Sequence, residues 1–341
     1  MFSRELTEID RYAYDEIVDH PLQSWEWGQF RRKLGTRVVR VGLFSVSRLK
    51  SACQLTLHRL PFTPYQIGYL PKGPLPDPDM LTALAQIGRK YNCIFIQLEP
   101  NVIKSSQFNL SAWLRTEVQS LKLIPSSRPL LTKYTFHLDL TKSADELFKN
   151  LQSKTRYNVR LAQKHGVTVQ EENIAAAFAT YLKLSQETTE RQGFYAHNLT
   201  YHRLMWETLQ PANIAHLLTA RYREKILVTW ILFLYKDILY YPYGASTAEN
   251  KEVMASNLML WEAMLCGKTH GAKLLDLWGT PGPDPQPTDP YYGFHKFKLG
   301  YGPKLVEFVG SYDLVLKPGL YKLFTLANKL RWALLKLKAR I

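Results

Sequence analysis

The sequence predicts an α+β protein, α/β-like in its alternation, built as two similar domains in tandem. Three observations carry this. The chain has 341 residues with 46% hydrophobic content, which exceeds one ordinary core and suits two domains of usual size. Helical and strand-like segments alternate along it. One order of elements also occurs twice.

The first copy opens with a helical segment at Trp25–Lys33, followed by strand-like runs at Val38–Phe44 and Ala52–Leu57. The punctuated stretch Gly68-Tyr-Leu-Pro-Lys-Gly-Pro74, a helix near Met80–Tyr91 and a buried strand Cys93–Glu99 complete it. The second copy has a helix at Thr200–Leu209 and strand-like runs at Ala215–Tyr222 and Val228–Tyr235. Tyr240-Tyr-Pro-Tyr-Gly244, a helix at Ser256–His270 and a strand Leu274–Trp278 follow. The repeat lies in order and spacing rather than in residue identity.

Asp139–Glu146 reads as the junction. Thr141 or Ser143 can cap a helix that has Asp145 and Glu146 in its first turn. The pattern predicts one helix running on through the basic stretch Lys149–His165 and stopping at Gly166. Five prolines fall between Gly279 and Pro290, so an extended surface loop is expected there. From Pro318 the tail reads as a helix with proline in its first turn. Leu320, Leu323, Phe324, Ala327, Leu330, Leu334, Leu337 and Ile341 share one face, with Lys322, Lys329, Lys336 and Arg340 opposite. Such a helix either packs on the domain with a solvated basic face or docks on anionic lipid.

The longest apolar run, Ile226–Tyr235, is about half of the ~20 residues a membrane helix needs. No apolar stretch follows Arg4 and Glu5, so no secretory signal is read and a cytosolic protein is expected. Cys53, Cys93 and Cys266 are too few and too scattered for a disulfide framework and are expected in the core. With no CxxC or HExxH pattern, no metal site and no cofactor are expected. Charge is the first functional signal. Lys plus Arg is 44 against 29 acids, a net of +15. Such an excess attracts nucleic acid, anionic lipid or phosphorylated ligands, or simply keeps the chain soluble. Lys149–His165 holds five Lys/Arg and no acid, and Leu314–Ile341 holds seven and no acid.

Several segments, taken in order, resemble the FemABX family. Ser24-Trp-Glu-Trp-Gly-Gln-Phe-Arg31 is similar to its N-terminal signature. Gly68-Tyr-Leu-Pro-Lys-Gly-Pro74 and Ile96-Gln-Leu-Glu-Pro100 follow. Thr135-Phe-His-Leu-Asp-Leu140 and Lys154-Thr-Arg-Tyr-Asn-Val-Arg160 resemble the start of the second domain. Tyr241-Pro-Tyr-Gly-Ala-Ser246 and Leu274-Leu-Asp-Leu-Trp-Gly279 come next. Gly293-Phe-His-Lys-Phe-Lys-Leu-Gly-Tyr-Gly302 with Glu307-Phe-Val-Gly310 resembles the closing motif. The resemblance spans nearly the whole chain. It implies two tandem GNAT-like domains: 1–140 with 312–341 on the precursor side, and 141–311 on the aminoacyl-tRNA side. The chain has no room for the long helical hairpin that some members carry.

The implied activity moves an amino acid from aminoacyl-tRNA to the stem-peptide amine of a nucleotide- or lipid-linked peptidoglycan precursor. An ester becomes an amide, so a fixed charge or donor is needed where the oxyanion forms. The amine's proton must also be taken. The resemblance assigns the charge to Lys298, after Phe297, with Lys296 a nearby competitor. It puts Arg31, Trp27, Glu99, His197, Tyr201 and Tyr243 at the precursor. Arg31 stands where compact relatives carry a phosphate-binding Lys, and His197 roughly where they carry an Arg. No general base stands out, although Glu99, a water or the substrate could serve. Lys154, Arg156, Arg160 and Lys164 form the tRNA candidate, with sequence-independent, salt-sensitive phosphate contacts. The C-terminal helix is the candidate membrane contact. Three other readings stay open: a GNAT enzyme using acyl-CoA, the same chemistry on another acceptor, and a non-catalytic RNA- or membrane-binding protein.

Overall fold

The computed structural model describes residues 1–105, 113, 122–192, 197–289 and 291–338. In chain order, the first elements are β1 (Phe2–Glu5), α1 (Arg11–Ile17), α2 (Trp25–Lys33), β2 (Arg37–Ser45) and β3 (Arg48–Arg59). β4 (Gln66–Pro71), α3 (Pro78–Lys90), β5 (Cys93–Glu99) and β6 (Lys122–Pro125) follow. Then come β7 (Tyr134–Asp139), α4 (Ala144–Asn150), α5 (Ser153–Lys164), β8 (Thr168–Glu171), α6 (Ala175–Gln192) and α7 (Leu199–Leu209). The next are β9 (Ala215–Tyr222), β10 (Lys225–Tyr235), β11 (Ile238–Ser246), α8 (Ala255–Thr269), β12 (Leu274–Asp276), α9 (Tyr292–Leu299) and β13 (Lys304–Glu307). β14 (Tyr312–Val315) and α10 (Pro318–Lys338) close the chain.

Two compact units result, 1–131 with 308–341 and 132–307. Among the described residues each holds a seven-stranded sheet, in the order β1-β2-β3-β4-β5-β14-β6 and, in the second unit, β13-β7-β12-β11-β10-β9-β8. Read from opposite ends, the sheets share one plan. In the first, β2, β3 and β4 form an antiparallel meander, α3 crosses over, and β5 pairs parallel to β4. In the second, β9, β10 and β11 form the meander, α8 crosses over, and β12 pairs parallel to β11. The doubled order of elements is therefore two copies of one mixed α+β unit. The sixth strand of each sheet comes from outside this run: β14 from the chain's end, and β7 from the stretch before α4.

Local chemistry accounts for the crossover helix α3. The Asp77 carboxylate accepts from the Met80 amide at 2.8 Å, and Pro78 fills the first turn, where its missing N–H costs nothing. Met80, Leu81, Leu84 and Ile87 are buried, the stripe that i, i+3 and i+4 spacing puts on one face. They pack with Val41, Leu55 and Ile96 in the first core. α8 does the same in the second core, with Met259, Ala263 and Met264 against Trp230 and Leu275.

Three expectations need correction. The junction falls earlier than 140, because β7 pairs with β12 and β13 in the second sheet. Return to the first unit likewise comes at 308 rather than 312. The single helix expected through the basic stretch is two. A capping box between Ser143 and Glu146 starts α4. The chain then turns extended at Leu151 and Gln152 (ψ 145° and 149°) before α5 begins. The break buries Leu151 and lets the Gln152 amide donate to the Gly300 carbonyl at 2.8 Å, two gains a continuous helix would forgo. Gly166, at φ +79°, ends α5 in the left-handed region as expected. Among its described residues the proline-rich stretch contains no regular element beyond a bridge from Thr280 to Tyr134.

Candidate functional site

In the second unit β12 ends at Asp276, and the chain turns through left-handed backbone at Trp278 (φ 58°) and Gly279 (φ +110°). This turn brings the carbonyls of Leu277 and Gly279 to the side chain of Lys298, presented by α9. Lys298 Nζ donates to them at 2.7 and 2.8 Å. The residue is 8% exposed. Burial pushes its pKa down to about 8, against a smaller upward pull from the Asp276 carboxylate. An ammonium has three donors. Two hold it in place, and the third remains for a ligand. Non-glycine residues at positive φ often mark functional turns, and Trp278 fits that pattern.

Lys298 and Phe297 line a cleft of about 460 Å³, together with Trp230, Tyr241, Arg191 and Asp289. That is within the ~300–1,000 Å³ typical of small-molecule sites. Trp230 and Tyr241 stack at 3.7 Å, and Lys298 Nζ sits 6.0 Å from the Tyr241 ring centre. Lys296 is exposed and does not line the cleft. Asp276 accepts from Thr135 Oγ1 at 2.5 Å and from the Trp278 amide at 2.8 Å, so it fixes the turn that holds Lys298. His295, one turn before Lys298, meets Thr280 Oγ1 at 2.6 Å. Burial, and then the Lys298 charge, lower its pKa.

The other candidates of the second unit form a separate group. His197 is exposed and stacks on Tyr201 at 3.7 Å. Tyr201 and Tyr243 meet hydroxyl to hydroxyl at 3.2 Å. His202 lies edge-on to Tyr243, and burial drops its pKa to about 4. None of His197, Tyr201 and Tyr243 is among the cleft residues. A register shift between Ile231 and Phe233 interrupts the pairing of β10 with β11. Tyr241 therefore joins the Trp230 cleft, while Tyr243 joins His202.

In the first unit Trp27 is 7% exposed and packs edge-on to Phe30. Arg31 is half-buried, with its Nε lacking a partner. Glu99 is 4% exposed and its carboxylate is saturated. It accepts from Tyr69 (2.6 Å), Ser311 (2.6 Å), the Leu130 and Leu131 amides (2.7 and 3.2 Å) and Gln97 (3.3 Å). That geometry anchors a loop. A larger cleft of about 770 Å³ in this unit is lined by Tyr69, Phe95, Arg128, Asp313, Tyr321 and Lys329, and by none of the three candidates.

On α5, Lys154, Arg160 and Lys164 are exposed. Arg156 is turned inward and donates to the Lys149 and Leu151 carbonyls, so it caps the end of α4. On α10, Tyr321 and Phe324 both pack against Phe95. Leu323, Leu326 and Leu330 are 62%, 56% and 59% exposed. The apolar face read from the sequence is thus split between the domain and solvent. Leu334, Lys336 and Leu337 lie beyond the described side chains, and Arg340 and Ile341 beyond the described residues. Among the described residues no helix is long and apolar enough to cross a membrane.

Sequence reasoning missed Tyr241, Trp230 and Asp276 as site residues. For Asp276 the available signal was an acid closing a buried strand just before Trp-Gly. It also expected no metal ligands, yet Glu171, His216 and His270 converge, their ligating atoms within 4.8 Å of one another. Cys53 and Cys93 are buried as expected, whereas Cys266 is half-buried beside Glu171.

Comparison with known proteins agrees with this architecture. The crystal structure of FemX matches with a TM-score of 0.82 at 20% identity, covering 95% of this chain and 99% of that one. A tandem GNAT protein from the clavulanic acid biosynthesis pathway matches with a TM-score of 0.54 at 10% identity, covering 92% and 98%. Two relatives are lipid II:glycine glycyltransferases. That of Staphylococcus haemolyticus is 23% identical over 94% of both chains. That of Staphylococcus saprophyticus is 23% identical over 99% of both. The model of the FemAB family matches residues 127–221 and 212–329, more than half of the sequence. On that match, and with the paired GNAT-like sheets of its structural relatives, this chain belongs to the FemAB family.

Proposed function

We propose that this chain is an aminoacyltransferase of peptidoglycan bridge formation. It moves an amino acid from aminoacyl-tRNA to the stem-peptide amine of a lipid-linked precursor. The observation that carries the reading is the Lys298 ammonium, buried at the wall of an aromatic cleft and steered by two carbonyls. Its remaining donor offers a fixed positive charge in a partly desolvated place, where such a charge is worth most. The family membership and the glycyltransferase relatives support the reaction class.

The acceptor amine attacks the ester carbonyl carbon. The carbonyl π electrons move to oxygen, and Lys298 meets that oxyanion. As the oxyanion collapses, the bond to the ribose oxygen breaks and the amide forms. The amine's proton ends on the departing ribose oxygen, directly or through water. No protein nucleophile is required. Arg31 serves a precursor phosphate, and the guanidinium fork suits phosphate as well as the lysine of the compact relatives does. The exposed Lys154, Arg160 and Lys164 serve tRNA phosphates. Substrates in the lipid phase fit the exposed leucines and cations of α10.

The test is direct. Purified protein is given mixed charged tRNA with lipid-linked and nucleotide-linked muropeptides, and the peptide products are weighed by mass spectrometry. Transfer of a residue to the stem-peptide amine is expected, and glycine is the first to try. Products dependent on acyl-CoA instead of tRNA would overturn the reading in favour of an acyl-CoA enzyme.

A further inference from the structure

The second unit holds a cluster of chemistry-bearing side chains that the transfer reaction does not use. Glu171 closes the edge strand β8, His216 lies on the neighbouring β9, and His270 follows the last turn of α8. Glu171 Oε1 lies 2.7 Å from His216 Nδ1, and Glu171 Oε2 lies 2.7 Å from His270 Nε2. Cys266 stands four residues before His270, which puts both on one face at the end of α8. Its Sγ is 3.8 Å from Glu171 Oε2.

We propose that Glu171, His216, His270 and Cys266 form a divalent-metal site of the zinc type. Two imidazoles, a carboxylate and a thiol are zinc's ordinary ligands, and zinc takes four of them tetrahedrally. The convergence of the ligand atoms is the strongest argument. The two Glu171 oxygens each face one imidazole nitrogen at 2.7 Å, and the ligating atoms of Glu171, His216 and His270 lie within 4.8 Å of one another. His216 presents its other nitrogen, Nε2, to the Asn213 carbonyl at 3.1 Å. A metal would take His216 Nδ1, His270 Nε2 and the carboxylate together. It would also use the Nε2–H to carbonyl bond as the outer contact that metal-ligating histidines almost always make.

Three of the four ligands are already gathered, and Cys266 Sγ, 3.8 Å from Glu171 Oε2 but outside that group, must turn in to join them. Ligand atoms of a tetrahedral zinc lie ~3.3 Å apart for bonds of ~2.0–2.1 Å, so the two 2.7 Å contacts must open slightly. Glu171 and His270 are 26% and 30% exposed and can move. The surface position also gives the ion a way in. The consequence is structural. β8 has four residues at the sheet edge, and the ion ties it to β9 and α8. This inference does not depend on the proposed transfer activity.

The test uses metal-stripped full-length protein titrated with zinc chloride by calorimetry, with thermal melts in parallel. Saturable binding of one zinc per chain at micromolar concentration or tighter, with a rise in Tm, is expected. Cobalt chloride should give a thiolate-to-cobalt charge-transfer band that Cys266→Ser abolishes. His270→Ala should weaken zinc binding by roughly 10–100-fold or more, while melting without metal close to the parent. Absence of saturable binding overturns the proposal, as does equal binding by the parent and His270→Ala. A cobalt complex without the thiolate band overturns the four-ligand assignment.

Discussion

Lys298 Nζ lies 2.7 Å from the carbonyl oxygen of Leu277, a bond that points a buried cation along a cleft wall rather than into a salt bridge. Carbonyl dipoles hold the ammonium without neutralising it, and in the proposed transfer that charge meets the developing oxyanion. Lys298→Ala is therefore expected to lower single-turnover rates with saturating charged tRNA by about 100- to 1000-fold. Muropeptide affinity should change little. Lys298→Arg should recover little, because a planar fork cannot occupy the same point. Arg31→Ala should do the reverse and mainly raise KM for the precursor. An Ala variant as fast as the parent would remove Lys298 from the chemistry.

The same group sets a pH dependence. Its folded pKa of about 8 lies below the ordinary 10.5. The cation is present below about 8, so the single-turnover rate should carry a falling limb as pH rises through that value. Lys298→Ala should lack this limb. For stability the sign is opposite. Between the two values the unfolded chain holds the proton and the folded chain does not, so stability attributable to Lys298 rises with pH across that window. Urea unfolding of the parent and of Lys298→Ala on both sides of pH 8 measures the difference.

Glu99 is expected to behave as an anchor. Glu99→Gln loses acceptor capacity opposite the Leu130 and Leu131 amides and Ser311. Bonds to charged groups contribute about 1.5–3 kcal/mol each, so denaturant melts should show a loss of that order. The single-turnover rate of the folded enzyme should stay within a few-fold of the parent. A pH-dependent rate collapse with normal stability would instead make Glu99 the base.

Charge on α5 divides by exposure. Lys154→Glu, Arg160→Glu and Lys164→Glu together should weaken tRNA binding and flatten its salt dependence. A loss of slope of roughly 0.7–0.9 per phosphate contact is expected. Arg156 belongs to a different experiment, because it caps α4 and its removal should lower Tm first. Unchanged binding across a salt titration would move the tRNA surface elsewhere.

The exposed Leu323, Leu326 and Leu330 of α10, flanked by Lys322, Lys329 and Arg331, should carry the chain to anionic vesicles. Each cation near such a surface contributes about 1 kcal/mol. In flotation, Leu323→Ser with Leu326→Ser and Leu330→Ser should reduce recovery on anionic vesicles without unfolding the protein. Equal recovery on neutral vesicles would reject the electrostatic part.

Gly28 gives a purely structural prediction. A Cβ there would collide with the Arg40 guanidinium and the Gln54 amide. Arg40 is 2% exposed and stacks 3.6 Å from the Trp25 ring centre, so it has no room to yield. Gly28→Ala should cost about 1–3 kcal/mol, read from urea unfolding.

What the sequence determined by itself was whatever depends on local periodicity and chain order. Cys93–Glu99 and Ala215–Tyr222 are strands with the bounds read from their apolar runs. The doubled element order was legible because each meander and its crossover helix are contiguous in the chain. Phe297-Lys298 could be singled out because its motif is local. Tertiary structure decided the rest. The extended break at Leu151–Gln152 depends on a carbonyl at Gly300, nearly 150 residues away, and no local propensity encodes it. Burial divided Lys298 from its competitor Lys296, and Arg156 from the exposed cations it was grouped with in the sequence. The Glu171–His216–His270 cluster had no spacing to recognise, because its members sit 45 and 99 residues from the carboxylate. Sheet pairing and the docking of α8 alone bring their ligand atoms together.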